Sequence, residues 1–410
     1  MVQGVATTEK YTPRDRKFWM ALSALGVASI LTFSNLYMVH PILPAFVKEF
    51  HISPTTASLS LSLSVLSMIC GLLYFGFLSD RSGRVGLMKV TLLLSILPLF
   101  IIPFLSSFWL ILVFRFIQGF FIAGLPAAAI AYIGEEFERR SVGIGITVYI
   151  ATNAIGGMGG RVLVGFVSDY TSWQTSILVL AGIGLVFYLL FYFQLPPSRG
   201  FEPSTASMKD DLTGMFVHLT NPLLIPAFLL GITLQTSFTG IWTYLPFYLG
   251  EPPFSLSIKE ISLTYLAYSM GVIGSPIAGR LTDRIGHNTF IMSGAIILIV
   301  GSALTMVPSV FVISVGLCVL CLGFFIAHSM AAALVNMRAE HHKGGASSLY
   351  LVSYYIGVAS GGTVTGFIWD GFGWIGIACV AVLLLPIIYW LNAYRKAEKL
   401  KQKVNAPNMN

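Results

Sequence analysis

Charge is scarce in this sequence. Only 10% of its 410 residues are Asp, Glu, Lys or Arg, while 56% are hydrophobic and the mean hydropathy is +0.81. Soluble domains carry roughly 25% charged residues, so a soluble globular fold is excluded. Acidic residues are the rarer sign, 17 in all, and none interrupts the central part of a long apolar run. Cysteine is nearly absent: Cys70, Cys318, Cys321 and Cys379 all lie inside apolar runs. The Cys318–Cys321 CxxC therefore reads as apolar packing rather than a metal or redox site, since no second ligand pair lies nearby. No glycine-rich phosphate loop, nucleophile–base arrangement or metal cluster appears, which disfavours an enzyme and excludes a primary pump. The net charge of +7 comes without any nucleic-acid motif. No small-residue cleavage site follows the first apolar run, so that run is read as an uncleaved first span.

What the sequence has is long apolar runs, each near the about 20 residues that cross a bilayer. They fall at 18–47, 56–79, 86–105, 108–134, 142–168 and 173–195, then at 222–249, 259–280, 288–307, 309–335, 344–368 and 373–394. Taken as spans 1 to 12, they predict an all-α membrane protein with the lipid bilayer as its solvent. Residues 1–195 form one six-helix bundle with its tail, 196–221 a polar linker, 222–394 a second bundle, and 395–410 a tail. Basic residues crowd one face: Lys10, Arg14, Arg16 and Lys17, then Arg81, Arg84, Lys89, Arg139, Arg140, Arg199, Lys209, Arg280, Arg284, Arg338 and Lys343. Five more stand in the C-terminal tail, and only Lys48 and Lys259 lie opposite. The positive-inside rule makes the crowded face cytoplasmic, with both termini on it.

The chain also repeats itself. GFLSDRSGR (Gly76 to Arg84) returns as GRLTDRIGH (Gly279 to His287), 203 residues on; GFVSDYTSW returns as GFIWDGFGW after 201, and EFERRSVG as RAEHHKGG after 202. Two similar halves of about 200 residues are the pattern of secondary transporters built from duplicated bundles. The element Gly-x-x-x-Asp also recurs 89 residues apart in the first half and 87 in the second, which points to nested three-span units.

At these residues the sequence resembles the major facilitator superfamily, whose loop signature GFLSDRSGR closely matches. RFIQG (Arg115 to Gly119, with Gln118) and LPAFVKEF (Leu43 to Phe50) resemble patterns of its drug–proton antiporter branch, and IGGMGGR, GFFIAHS and ASSLYLVSYYIG those of the YnfM-type group of bacterial permeases. The resemblance covers about residues 15–395 and implies two pseudo-symmetric six-helix bundles, the major facilitator fold. It also implies a bacterial cell-membrane location and the proton gradient, with no cofactor, as energy source. Span 5 departs from the antiporter pattern: its glycines lack the following proline, and Arg161 stands among them.

The loop signature predicts a conformational latch. Gly76 and Gly83, with their copies Gly279 and Gly286, would allow close helix approach and a tight turn. Asp80 would meet a helix N-terminus, and Arg81 and Arg84 would pair with Glu135, Glu136 or Glu138. In the second copy Asp283 and Arg284 keep the pattern, but His287 replaces its basic end, which weakens that latch.

The candidate substrate site starts from two arginines within spans. Arg161 lies eight residues before Asp169 and Arg115 seven after Phe108, depths of about 12 and about 10 Å at 1.5 Å per residue. A cation in lipid costs several kcal/mol and should face the bundle interior. The reading adopted places both toward a hydrated pocket, where guanidinium groups bind carboxylate or phosphate. The bland alternative is that they bond helix carbonyls and hold spans together. Arg161 has Gly362 as its repeat mate, so the second half carries no cation there.

The resemblance further implies that spans 1, 4, 7 and 10 line the cavity. Span 1 offers Asn35, Tyr37 and His40 beside the helix-bending Pro41 and Pro44; span 7 offers Gln235, Thr239, Trp242 and Tyr244; span 10 offers His328; span 11 offers Ser347, Ser348, Tyr350, Tyr354 and Tyr355. His40 and His328 are the side chains suited to proton carriage near neutral pH, and Asn153 reads as an interhelical hydrogen bond. The expected function is secondary transport by alternating access, as a monomer, of a small organic compound, with an anion or zwitterion as the class the arginines suggest. Proton-coupled export leads, and proton-linked or facilitated uptake of an organic anion follows. A membrane sensor with a transporter-like fold is the alternative from another class.

Overall fold

The computed structural model describes residues 10–204, 213–339 and 343–393. Almost all of them are helical, and eleven helices are long and apolar enough to cross a membrane: Arg16–Phe50, Pro54–Ser82, Arg84–Phe104, Phe108–Glu136, Val142–Tyr170, Trp173–Gln194, Ile225–Gly250, Ile258–Thr282, His287–Leu304, Val310–Arg338 and Gly344–Ala393. The last of these is 50 residues long and breaks at Gly373, where φ is 59°. That left-handed residue divides it into spans 11 and 12, and the expected twelve are all present. The tail 395–410 and the middle of the linker, with Lys209, lie outside the described residues, as does the side chain of Asp283.

Local chemistry sets the helix ends. Ser53 accepts from Thr56 N–H at the start of span 2, and Ser172 from Thr175 N–H at the start of span 6, each satisfying an amide the helix leaves open. Gly83 (φ 98°) and Gly286 (φ 90°) make the two turns that follow spans 2 and 8, a backbone region that side chains with a Cβ avoid. Span 1 bends where its prolines predict. The α-helix Arg16–Tyr37 gives way to a 3-10 turn, His40–Ile42, and resumes as Leu43–Phe50. Span 4 interrupts at Ala123, between Phe108–Ile122 and Gly124–Glu136; the ring of Pro126 accounts for this, since it cannot coexist with the carbonyl of Ile122 in a regular helix.

Two compact units form, one of Met1–Ala206 with Leu249–Leu266, the other of Ser207–Tyr248 with Ala267–Asn410. In the first, span 5 lies against span 1 through glycines. A Cβ on Gly156 would stand 2.5 Å from Ile30 O, and one on Gly160 2.5 Å from Ser34 Cα. In the second, span 11 meets span 7 in the same register. A Cβ on Gly357 would stand 2.5 Å from Ile232 O and one on Gly361 2.7 Å from Thr236 O. Such contacts let backbones touch where no water-driven force brings helices together. The short helix Ile258–Thr264, opened by a Ser257–Glu260 capping box, also belongs to the first unit. Its Ser262 fills the space beside Gly165, and Lys259 N–H donates to Asp169 at 3.3 Å.

Candidate functional site

Ending the first helix of span 1 at Tyr37 leaves its last carbonyls without intrahelical donors. Arg115 of span 4 supplies them. Its Nη1 donates to Asn35 O at 3.0 Å and its Nη2 to Leu36 O at 2.8 Å, while Nε reaches Ser60 O of span 2 at 3.0 Å. Gln118, one turn on, accepts from Nη1 at 2.5 Å and donates to Ser95 O of span 3 at 3.1 Å. Asn35 donates to that same carbonyl at 2.8 Å, and Ser64 donates to Arg115 O at 2.9 Å. Arg115 and Gln118 are fully buried. A cation at a helix C-terminus also meets the negative end of the helix dipole. This geometry corrects the expectation that Arg115 projects into a hydrated pocket. It is a helix cap tying four spans together, and Asn35 and Gln118 belong to the same knot.

Arg161 is placed differently. Its Nε donates to His40 Nδ1 at 2.9 Å and its Nη1 to Gly157 O, four residues back, at 2.8 Å. The guanidinium carbon lies 4.3 Å from the ring centre of Tyr37 and 5.3 Å from that of Tyr265. His40 stacks between those two tyrosines, at 6.0 and 6.4 Å. So His40, Tyr37 and Arg161 do meet, beside the bend that Pro41 makes. Tyr265 completes the group and was missed by sequence reading; it follows the short helix Ile258–Thr264 and carries no motif. Asn153 bridges spans 5 and 1, its Oδ1 accepting from Ser29.

In the second unit the candidates form an aromatic stack. Phe238 lies on Phe324 at 3.9 Å, Phe324 on His328 at 5.6 Å, and His328 on Tyr350 at 5.6 Å, with Tyr354 tilted onto His328 at 4.7 Å. His328 Nδ1 and the Tyr350 hydroxyl are 3.0 Å apart. Trp242 is buried between Phe238 and Tyr268, at 6.1 and 4.8 Å. Gln235 is buried too. Its Nε2 donates to Thr239 at 3.1 Å, and its Oε1 has no hydrogen-bond partner among the described residues.

At the basic end of the first unit, Arg84 is the centre of the loop signature. It donates to Asp80, to Ser79 Oγ at 2.5 Å and to Glu135 at 2.8 Å. Arg81 lies over the ring of Phe77 at 3.5 Å and donates to Phe77 O at 3.0 Å. Gly76 and Gly279 do not mediate close helix approach: a Cβ on either would meet nothing within 4 Å. Asp80 is met by a side chain rather than by a helix N-terminus. Arg284 is exposed. Glu136 binds the chain that follows span 6, accepting at one carboxylate oxygen from Ser198 Oγ at 2.7 Å, Arg199 N–H at 2.6 Å and Gly200 N–H at 2.9 Å. Tyr11 pairs with the turn after span 4, and burial pushes its hydroxyl pKa up. No group of three His, Cys, Asp or Glu among the described residues could hold a metal ion.

The family profile described as Major Facilitator Superfamily matches residues 25–327 and 252–408. The chain belongs to the major facilitator superfamily. It is similar to the uncharacterized MFS-type transporter YybF of Bacillus subtilis (strain 168), 36% identical over 98% of this chain and 99% of that one. It is 34% identical to the inner membrane transport protein YnfM of Escherichia coli (strain K12), over 92% of this chain and 89% of the relative. Among solved structures, a bacterial homologue of the human lysosomal transporter Spinster, in an inward-facing and occupied conformation, matches with a TM-score of 0.79. That match has 12% identity and covers 93% of this chain and 97% of that one. The protein is thus a multi-pass membrane transporter with the major facilitator fold, acting on a small-molecule substrate.

Proposed function

We propose that this superfamily member moves a small organic anion or zwitterion across the bacterial inner membrane by alternating access, with both termini in the cytoplasm and the proton gradient as energy source. Arg161 is the binding cation. The observation that carries this reading is the contrast between the two arginines: Arg115 donates to main-chain carbonyls of spans 1 and 2, whereas Arg161 donates to the His40 ring and lies against the faces of Tyr37 and Tyr265. Those are contacts a carboxylate can replace with stronger, charge-assisted bonds. Aromatic walls from Tyr37 and Tyr265, both in the first unit, suit a compact organic body beside the charge.

A second reading, export of cargo in exchange for protons, rests on the likeness of Arg115–Gly119 and Leu43–Phe50 to antiporter patterns. Since Arg115 acts as a helix cap, that likeness bears on packing more than on coupling. The test is purified protein in liposomes under an imposed pH gradient, offered organic anions, cations and neutral sugars. Gradient-driven flux of anions is expected; a profile of cations alone would remove the reading.

A further inference from the structure

Residues 196–204, the start of the linker, lie across the basic ends of spans 2 and 4. The Tyr132 hydroxyl of span 4 donates to Pro196 O at 3.0 Å. One turn on, Glu136 accepts at a single carboxylate oxygen from Ser198, Arg199 and Gly200. Gly200 lies so close to span 4 that a Cβ on it would stand 2.8 Å from Glu135 O. The segment then crosses to span 2. The Arg84 guanidinium carbon lies 5.6 Å from the Phe201 ring centre, and Ser204 N–H donates to Asp80 O at 2.8 Å. Span 2 ends at Ser82, so Asp80 O is one of the carbonyls a helix terminus leaves open. The linker therefore caps the helix that carries the loop signature and grips the helix that carries Glu135, the two that Arg84 joins. The N-terminal segment backs this arrangement. Tyr11 N–H donates to Glu136 O at 2.8 Å, and the Arg199 guanidinium carbon lies 5.5 Å from the Tyr11 ring centre.

We propose that residues 196–204 are a strap that travels with the first bundle, and that Glu136, its anchor, positions Asp80 and Arg84 of the loop signature through it. Lifting the strap would take three donors at once from a carboxylate whose residue is only 3% exposed. A buried charge stripped of its partners is strongly destabilising, so the strap stays seated and span 2 keeps its cap. Glu136 acts on Arg84 through the backbone of the strap rather than by pairing with it. The linker is the only covalent connection between the two halves of the chain. A displacement of the second half therefore reaches the ends of spans 2 and 4 through Ser204 and Glu136, and it arrives at the loop signature.

The experiment is amide hydrogen exchange at single-residue resolution on the full chain in lipid nanodiscs, a readout of local opening. In wild type the amides of Arg199, Gly200 and Ser204 are expected to exchange about 10-fold more slowly than that of Glu202, which makes none of these bonds. Ser204→Pro removes the amide that caps Asp80 O. It is expected to speed exchange at Arg81 and Ser82 by about 10-fold while Arg199 and Gly200 keep their rates. Ser204→Ala retains the amide and should match wild type. Glu136→Gln keeps the shape of the anchor without its charge. It is expected to speed Arg199, Gly200, Ser204, Arg81 and Ser82 together, with Ser64 and Arg115 in the interior of spans 2 and 4 unchanged. Wild-type Arg199 and Gly200 exchanging as fast as Glu202 would show that no strap is seated. Either Ser204→Pro or Glu136→Gln leaving Arg81 and Ser82 at the wild-type rate would overturn the positioning role. Should Glu136→Gln fail to fold, wild type and the two Ser204 variants decide. None of these rates requires a transported compound, so the outcome is independent of the anion reading.

Discussion

Spans 5 and 11 hold corresponding places in the two halves and pack on spans 1 and 7 through glycines in one register, yet they differ at one position. Where span 5 has Arg161 reaching His40, span 11 has Gly362, whose carbonyl accepts from the Tyr244 hydroxyl of span 7 at 2.8 Å. The second half is thus an internal control. It shows that the helix pair needs no charge at that position, so a buried guanidinium there is not a requirement of packing. Arg115 teaches the reverse. Its donors answer carbonyls that the bend in span 1 leaves open, and that role is architectural.

Substitutions can break this comparison. The largest effect is expected from Arg115→Leu, which strips donors from Asn35, Leu36 and Ser60 carbonyls and from Gln118. Removing one partner from a buried charged network costs about 3–5 kcal/mol, read as a lower melting temperature or loss of monodisperse protein in detergent. Arg161→Gln is expected to melt close to wild type; an equal fall would show that both arginines are structural. Next come Gly160→Leu and Gly361→Leu, each forcing a side chain into a backbone contact at about 1–3 kcal/mol. The two should cost alike in thermal unfolding, and an unequal pair would deny the shared register. The smallest is Tyr244→Phe, worth about 0.6 kcal/mol, the average for interhelical hydrogen bonds in membranes. Its melting shift should be barely measurable, and a large one would make the second half depend on a polar tie as the first does.

The architecture was legible because both of its signals are linear. Apolar runs mark spans, and duplicated strings such as GFLSDRSGR and GRLTDRIGH mark halves. Even the break at Gly373 falls at the start of the run 373–394, just past the polar pattern that separates it from 344–368. The site was legible only as a set of residue types. Arg161 and His40 stand 121 residues apart, and nothing in either neighbourhood says that they meet. The role of Arg115 was hidden for a deeper reason: its partners are main-chain carbonyls, which every residue possesses, freed by a bend whose prolines, Pro41 and Pro44, lie beyond Asn35 and Leu36 in the chain. Tyr265 stayed invisible because it sits inside the apolar run of span 8, where no motif marks it. Glu136 looked like a partner for the loop arginines and instead holds the backbone after span 6, again a main-chain partner.

The most direct test of the account is saturable p-toluenesulfonate or gluconate flux in liposomes carrying wild type or Arg161→Gln, with melting temperature measured on the same preparations. Charge-assisted hydrogen bonds worth about 3 kcal/mol predict a fall in flux of about 100-fold with melting nearly unchanged. Undiminished flux in Arg161→Gln, or a wild type that carries organic cations and no anions, would contradict it.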